Sequence, residues 1–179
     1  SFLFPGVGYG GSCFPKDTRA LLHIAEDAGL TLPLVDATEA INLRQKRRLF
    51  DKLLLHLAVR EDQPGALAGK VIAVWGLAFK PETDDVREAP ALTLIEKLVD
   101  LGATVRAYDP VATETARQSL QSLLAERMRQ VELVSGAYDA VRSADALCLC
   151  TEWRQLRQPD FRKLARLMRG NVLLDGRNI

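Results

Sequence analysis

From Lys70 onward the chain alternates short apolar runs with helical stretches, and few folds accept that pattern. Val71 to Trp75, Thr104 to Tyr108, Val131 to Val134, Ala146 to Cys150 and Val172 to Leu174 are the strand candidates. Between them, Pro90 to Leu101, Ala112 to Met128, Ala137 to Val141 and Phe161 to Met168 read as helices. Strands buried on both faces and separated by helices specify a doubly wound parallel sheet of the α/β class. No internal repeat or low-complexity segment interrupts the pattern.

The first third of the chain is built differently. A loop with four glycines, Gly6, Gly8, Gly10 and Gly11, leads to Pro15, whose fixed φ suits the first turn of a helix. Leu21, Leu22, Ile24, Ala25 and Ala28 follow at helical spacing, and Gly29 supplies the stop. Pro33 opens a long helix predicted to run to about Val59, nearly 40 Å at ~1.5 Å per residue. So long a helix is a candidate connector or dimer-forming element. Arg60 to Gly69 is polar, contains Pro and Gly, and reads as a linker. The predicted division is therefore a helical segment over 1–65 and an α/β domain over 66–179.

Charge and composition exclude several classes. Lys and Arg number 24 against 23 Asp and Glu, without the basic excess of a nucleic-acid binder. No apolar run approaches the ~20 residues of a membrane helix, and no secretory leader pattern is visible. Three cysteines make no disulfide framework, so the expected compartment is reducing and cytoplasmic. The chain opens within a glycine-rich loop and without an initiator Met, so it is expected to be a piece of a longer protein.

Cys13 stands in Gly8-Tyr9-Gly10-Gly11-Ser12-Cys13-Phe14-Pro15-Lys16-Asp17. A cysteine ahead of a helix N-terminus sees the positive end of the macrodipole, and Lys16 adds a cation; both favour thiolate. Asp17 is placed to hold a water or steer a proton beside the sulfur. The competing reading is a structural cysteine buried in a tight turn. Further on, β-type residues Val71 to Trp75 run into Gly76-Leu77-Ala78-Phe79-Lys80-Pro81. A dinucleotide fingerprint needs G-x-G-x-x-G, and only its first glycine is present, although Asp109 imitates the ribose-binding acid. Arg177, in Asp175-Gly176-Arg177, reads by itself as a surface arginine near a chain end.

Three motifs in order carry a resemblance: GYGGSCFPKD, Gly76 to Pro81 continuing through Arg87-Glu88, and the terminal Asp175-Gly176-Arg177. Together they resemble the UDP-glucose/GDP-mannose dehydrogenase family of nucleotide-sugar 6-dehydrogenases, most closely its UDP-glucose-oxidising branch, with the GDP-mannose branch as the alternative. The resemblance implies a C-terminal portion of such an enzyme, with a Rossmann-like UDP-binding domain and NAD as cofactor. It implies Cys13 as the nucleophile that takes the sugar aldehyde through a thiohemiacetal and a thioester, and Asp17 as the residue ordering the hydrolytic water. It places Phe4, Pro5, Gly6, Val7, Gly8, Tyr9 and Gly10 around the UDP-glucose, with Phe79, Lys80 and Arg177 as further substrate contacts. Cys13, Lys16 and Arg87 fall on the NAD side, Arg87 across a subunit boundary. The main NAD-binding unit, and with it activity of this chain alone, is expected to be missing.

Other residues point to no chemistry. Cys148 and Cys150 share one face of a strand and read as core, not a metal or redox pair. His23 and His56 stand singly, so no metal site is expected. Arg44-Gln45-Lys46-Arg47-Arg48 reads as a solvated or subunit-facing helix surface. Two non-enzymatic readings stay open: a nucleotide-sugar-binding or dimerisation module, and a thiol redox sensor centred on Cys13.

Overall fold

The structure, a computed structural model, describes residues 6–179, so Phe4 and Pro5 of the expected sugar-nucleotide loop lie outside the described residues. Two helices come first, α1 (Phe14–Asp27) and α2 (Pro33–Leu57). The α/β part follows: β1 (Val71–Trp75), α3 (Pro90–Asp100), β2 (Thr104–Tyr108), α4 (Thr113–Leu124), β3 (Val131–Leu133), α5 (Ala137–Ala140), β4 (Ala146–Leu149), α6 (Phe161–Leu167) and β5 (Val172–Asp175). The strands form one sheet in the order β3-β2-β1-β4-β5. Every pairing is parallel, with Trp75 opposite Tyr108 on one side and Leu149 on the other. This is the doubly wound sheet that the alternating pattern predicts. The winding reverses between β1 and β4, and the crevice beyond their carboxyl ends is where such sheets place ligands.

The sheet is apolar on both faces because helices cover both. Ile72, Ala73 and Val74 of β1 and Ala146, Leu147 and Cys148 of β4 have no exposed surface, and Leu94, Ile95 and Leu98 of α3 seal against them. Cys148 and Cys150 are buried, as their alternation with leucines implies, and burial pushes the Cys148 thiol up to about 12. At the amino end of β4, Asp145 accepts from the Val71 amide at 2.8 Å and from Arg169 Nε at 3.0 Å. Burial pushes that carboxyl up, but its Arg169 and Val71 hydrogen bonds outweigh burial and leave it below the usual carboxylate range.

Two local expectations need correction. The helix predicted over Ala112 to Met128 stops at Leu124, because Ala125 turns to positive φ and the chain continues as a 3₁₀ turn to Gln130. The polar stretch Arg60 to Gly69 is no free linker. Leu67 is 0% exposed within the core, and its amide donates to the Leu101 carbonyl at 2.9 Å. One leucine in a polar segment is enough to anchor it.

The long helix, α2, connects the helical part to the α/β part, packing on α1, α3 and β5. Its C-terminal half needs no second copy as cover, since Leu49, Phe50, Leu53 and Leu54 join the core of the α/β domain and α2 packs on α3. The amino-terminal half leaves several apolar side chains in water, among them Leu34 at 84%, Ile41 and Leu43, and Leu55 of the C-terminal half is exposed as well.

Candidate functional site

A cleft of about 840 Å³ opens where the glycine loop, α2 and the carboxyl edge of the sheet meet. Gly6, Gly8, Tyr9 and Gly10 form one wall, Thr38, Ile41, Asn42 and Gln45 of α2 a second, and Phe79, Lys80, Glu152 and Arg177 the third. The motifs at positions 6–10, 79–80 and 177, far apart in sequence, thus meet around one space. Val7 does not line it. Its side chain turns into the core, where Val7 is 4% exposed and lies against Gly176.

The loop is held almost entirely by hydrogen bonds. Asn42 pairs with the Tyr9 backbone twice, accepting from its amide at 2.8 Å and donating to its carbonyl at 3.2 Å. Gln45 donates to the Gly6 carbonyl at 2.7 Å, and the Gly11 amide donates to the Arg87 carbonyl at 2.7 Å. Glycine is needed here for proximity. A methyl on Gly10 would overlap the Glu88 carbonyl oxygen, and one on Gly11, at φ +93°, would lie 3.0 Å from the Phe79 ring. Phe79 therefore faces the cleft and supports the loop at once, with Lys80 Nζ 5.3 Å from its ring centre.

Behind the loop runs an ionic network. The Tyr9 hydroxyl donates to Glu39, which also accepts from Thr18 at 2.6 Å. Burial first, and the Glu39 hydrogen bond next, push the Tyr9 phenol up to about 12. Burial pushes Glu39 up too, but the hydrogen bonds from Thr18 and Tyr9 outweigh it and hold it below the usual carboxylate range. Glu88 accepts from Lys46 at 2.9 Å and pairs with Arg19 at 3.0 Å, and these cations, Lys46 foremost, hold it low as well. Lys46 is 5% exposed. The basic run Arg44 to Arg48 is thus not uniformly a solvated surface: Gln45 and Lys46 face inward and carry the loop.

Cys13 sits at the N-cap of α1, exposed, with its Sγ 3.6 Å from Ser12 Oγ. Lys16 and Asp17 pair with each other at 3.0 Å in solvent. Arg87 is clamped by Asp85, through Nε at 2.9 Å and Nη2 at 2.7 Å. Asp17 first, with the Cys13 sulfur adding in the same sense, raises the Lys16 ammonium; Asp85 first, again with Cys13, raises the Arg87 guanidinium. Both cations therefore lie near the one exposed cysteine of the three. Among the described residues no group of three or more His, Cys, Asp or Glu side chains is arranged to hold a metal ion.

The turn after β1 is built against a dinucleotide. Asp109, 3% exposed, accepts from the Leu77 and Ala78 amides at 2.7 and 3.1 Å, from the Val111 and Ala112 amides at 2.9 and 2.7 Å, and from Trp153 Nε1 at 3.0 Å. The amides that cradle a pyrophosphate in a dinucleotide site here serve an internal carboxylate. Gly76 meanwhile abuts Thr151, whose Cβ would stand 2.5 Å from an added methyl. Residues 70–179 thus offer NAD no fitting seat at the usual place.

Sequence reading missed Glu39, Asn42, Gln45, Lys46, Glu88 and Glu152. A signal existed for four of them: 39, 42, 45 and 46 repeat at helical spacing, so they mark one polar face of a helix otherwise judged by its apolar residues. Glu88 and Glu152 sit in loops, where no periodicity points.

Comparison with known proteins gives this arrangement its context. Residues 73–179 match the UDP binding domain of the UDP-glucose/GDP-mannose dehydrogenase family, and residues 1–44 match that family's central domain. A UDP-glucose 6-dehydrogenase of Pseudomonas aeruginosa is 48% identical over 178 residues, which cover 99% of this chain and 38% of that protein. UDP-glucose 6-dehydrogenase TuaD of Bacillus subtilis is 43% identical, with 99% and 36% covered. The solved UDP-glucose dehydrogenase of Pyrobaculum islandicum superposes with a TM-score of 0.78 at 33% identity, over 96% of this chain and 35% of that one. GDP-mannose dehydrogenase of Pseudomonas aeruginosa superposes with 0.73 at 29%, over 98% and 37%.

The fold is therefore that of the nucleotide-sugar dehydrogenases as a class. More narrowly, the chain belongs to the UDP-glucose/GDP-mannose dehydrogenase family. It spans little more than a third of the length of the relatives it matches. No helix among the described residues is long and apolar enough to cross a membrane.

Proposed function

We propose that this chain is the substrate-closing part of an NAD-dependent UDP-glucose 6-dehydrogenase, which oxidises the C6 alcohol of UDP-glucose to a carboxylate. One observation carries the reading: the glycine loop, Phe79, Lys80 and Arg177 line a single cleft, and the loop leads directly to the exposed Cys13. In this reading residues 66–179 hold the UDP portion, and residues 1–65 close the sugar end and present the thiol. Gly6, Gly8, Tyr9 and Gly10 contact the sugar nucleotide, while Val7 acts from below by anchoring the loop. Lys80 supplies positive charge of the kind a diphosphate needs.

Cys13 is the nucleophile. Its Sγ adds to the C6 aldehyde, with a proton passing to the former carbonyl oxygen; loss of a hydride from C6 of that adduct leaves a thioester, and water then releases the acid and the free thiol. Asp17, one helical turn on, orders that water. Lys16 and Arg87 lie on the thiol side of the loop and face the NAD, the oxidant in both oxidations. The turn after β1 does not fit a dinucleotide, so the oxidant's seat belongs elsewhere in the longer protein, and this chain alone binds without turning over. The amino-terminal half of α2, with Leu34 and Leu43 in solvent, is where a homodimer of the full protein would form.

Calorimetry tests the reading. UDP-glucose and UDP should bind this chain, GDP-mannose more weakly. Lys80→Ala should lower UDP-glucose affinity about ten- to more than a hundredfold, the value of a charge-assisted hydrogen bond of ~1.5–3 kcal/mol. Equal affinity in that variant removes Lys80 from the site, and preference for GDP-mannose moves the protein to the family's other branch.

A further inference from the structure

Glu152, in the loop after β4, lines the cleft and pairs with Arg177 through one oxygen and one terminal nitrogen. That pairing is incomplete. Glu152 Oε2 and Arg177 Nε are both buried without a hydrogen-bond partner among the described residues. A side-on guanidinium–carboxylate contact would satisfy both atoms at once; this one-point contact leaves an acceptor and a donor unspent. Unpaired buried polar groups are costly enough that proteins rarely keep them without use.

The chemistry of the two spare atoms limits what completes them. A phosphate oxygen only accepts, so it suits Arg177 Nε and is repelled by Glu152. A hydroxyl both donates and accepts, and so answers both. We propose that Glu152 is a ligand-binding residue that, with Arg177, recognises a sugar hydroxyl and not the diphosphate; this rests on the nucleotide-sugar reading of the cleft. Both atoms are sealed from water in the free chain, so the pair reorients as the hydroxyl arrives, donating to Glu152 and accepting from Arg177. Lys80, whose Nζ lies 5.3 Å from the Phe79 ring centre, is left to the phosphates. A hydroxyl can come from the ribose or from the hexose.

The test is a ligand series on the 179-residue chain, by calorimetry with UDP, 2′-deoxy-UDP, 3′-deoxy-UDP and UDP-glucose. A site built around a hydroxyl rejects the analogue that lacks it. The wild-type chain should therefore bind UDP at least about tenfold tighter than one deoxy analogue if the ribose is read, or UDP-glucose about tenfold tighter than UDP if the hexose is read. Glu152→Gln keeps an oxygen for Arg177 but puts an amide donor where the free acceptor stood, so that ratio should fall towards one. A merely structural role would weaken every ligand by a common factor, and that result overturns the proposal. Equal binding of all four ligands by the wild type overturns it too, whether or not the variant folds. Failure of the wild type to bind any of them instead overturns the nucleotide-sugar reading itself.

Discussion

Strand β1 and the loop at 6–11 lie on either side of the same cleft, yet they are held by different forces. Ile72, Ala73 and Val74 are wholly enclosed by apolar neighbours. In the loop, Val7 is the apolar side chain that reaches that core, and the remainder rests on bonds to Asn42, Gln45 and the Arg87 carbonyl. Apolar burial is non-directional, about 25 cal/mol per Å², and tolerates small displacements. Hydrogen bonds contribute only about 0.5–1.5 kcal/mol each and require fixed geometry. A ligand wall made this way can adjust to its occupant, while the sheet beneath cannot. The difference places adaptability next to Cys13 and rigidity under Phe79 and Lys80.

The largest effect should come from α2, which belongs to both regions. Leu53 lies in its C-terminal half and is fully enclosed in the α/β core. Leu53→Ala should cost about 2–5 kcal/mol in denaturant unfolding, the range for a leucine removed from a packed interior. A loss below ~1 kcal/mol would mean that the helix docks on the domain without sharing its core. The contrast between the regions would then have to be drawn at Gly69 instead.

A smaller and more local effect is expected at Gly10. The atoms that a methyl there would meet belong to the Glu88 and Ala89 backbone, which has little freedom to yield. Gly10→Ala should push the loop off the 86–89 segment, at a cost of ~1–3 kcal/mol confined to the loop. UDP-glucose affinity should drop about tenfold or more, and the rate of Cys13 alkylation should change, while the unfolding midpoint of the sheet moves little. A shift in the midpoint with affinity intact would show that the loop is part of the core after all.

How much of this was legible follows the same line. The sheet could be read because β1 and β4 are continuous apolar runs, β2 and β3 alternate apolar with polar residues, and parallel strands need helices between them; β1 to β5 fall where the pattern puts them. The cleft was legible only through motif residues such as Phe79, Lys80 and Arg177. What the pattern did not carry are the residues acting through hydrogen bonds across long separations, Asn42 to Tyr9 or Lys46 to Glu88, since polarity has no periodic partner in the sequence. Asp109 was visible as an acid at a strand end, but not that five donors converge on it. Leu67, a lone leucine in a polar stretch, carried no pattern at all.

The smallest effect is also the most selective between the two regions. Glu88 and Glu39 are both held below the usual carboxylate range, Glu88 chiefly by Lys46 and Glu39 by Thr18 and Tyr9 against the opposing effect of burial. A carboxyl with a depressed value binds its proton more weakly folded than unfolded. Its stabilising contribution is therefore complete above the ordinary value of ~4.3 and is lost as pH falls through the lower folded value. The Gly11 amide, which donates to Arg87 beside Glu88, reports on this network. Its hydrogen-exchange protection, corrected for intrinsic rate, should decline as pH falls below ~4. In Glu88→Gln, which lacks the charge, protection of that amide should begin lower and vary less over the same range. The Val74 amide, inside the sheet, should be indifferent to the substitution. Equal loss at Gly11 and Val74 in the variant would mean that loop and sheet open as one unit, and that the ionic network is part of the same cooperative core.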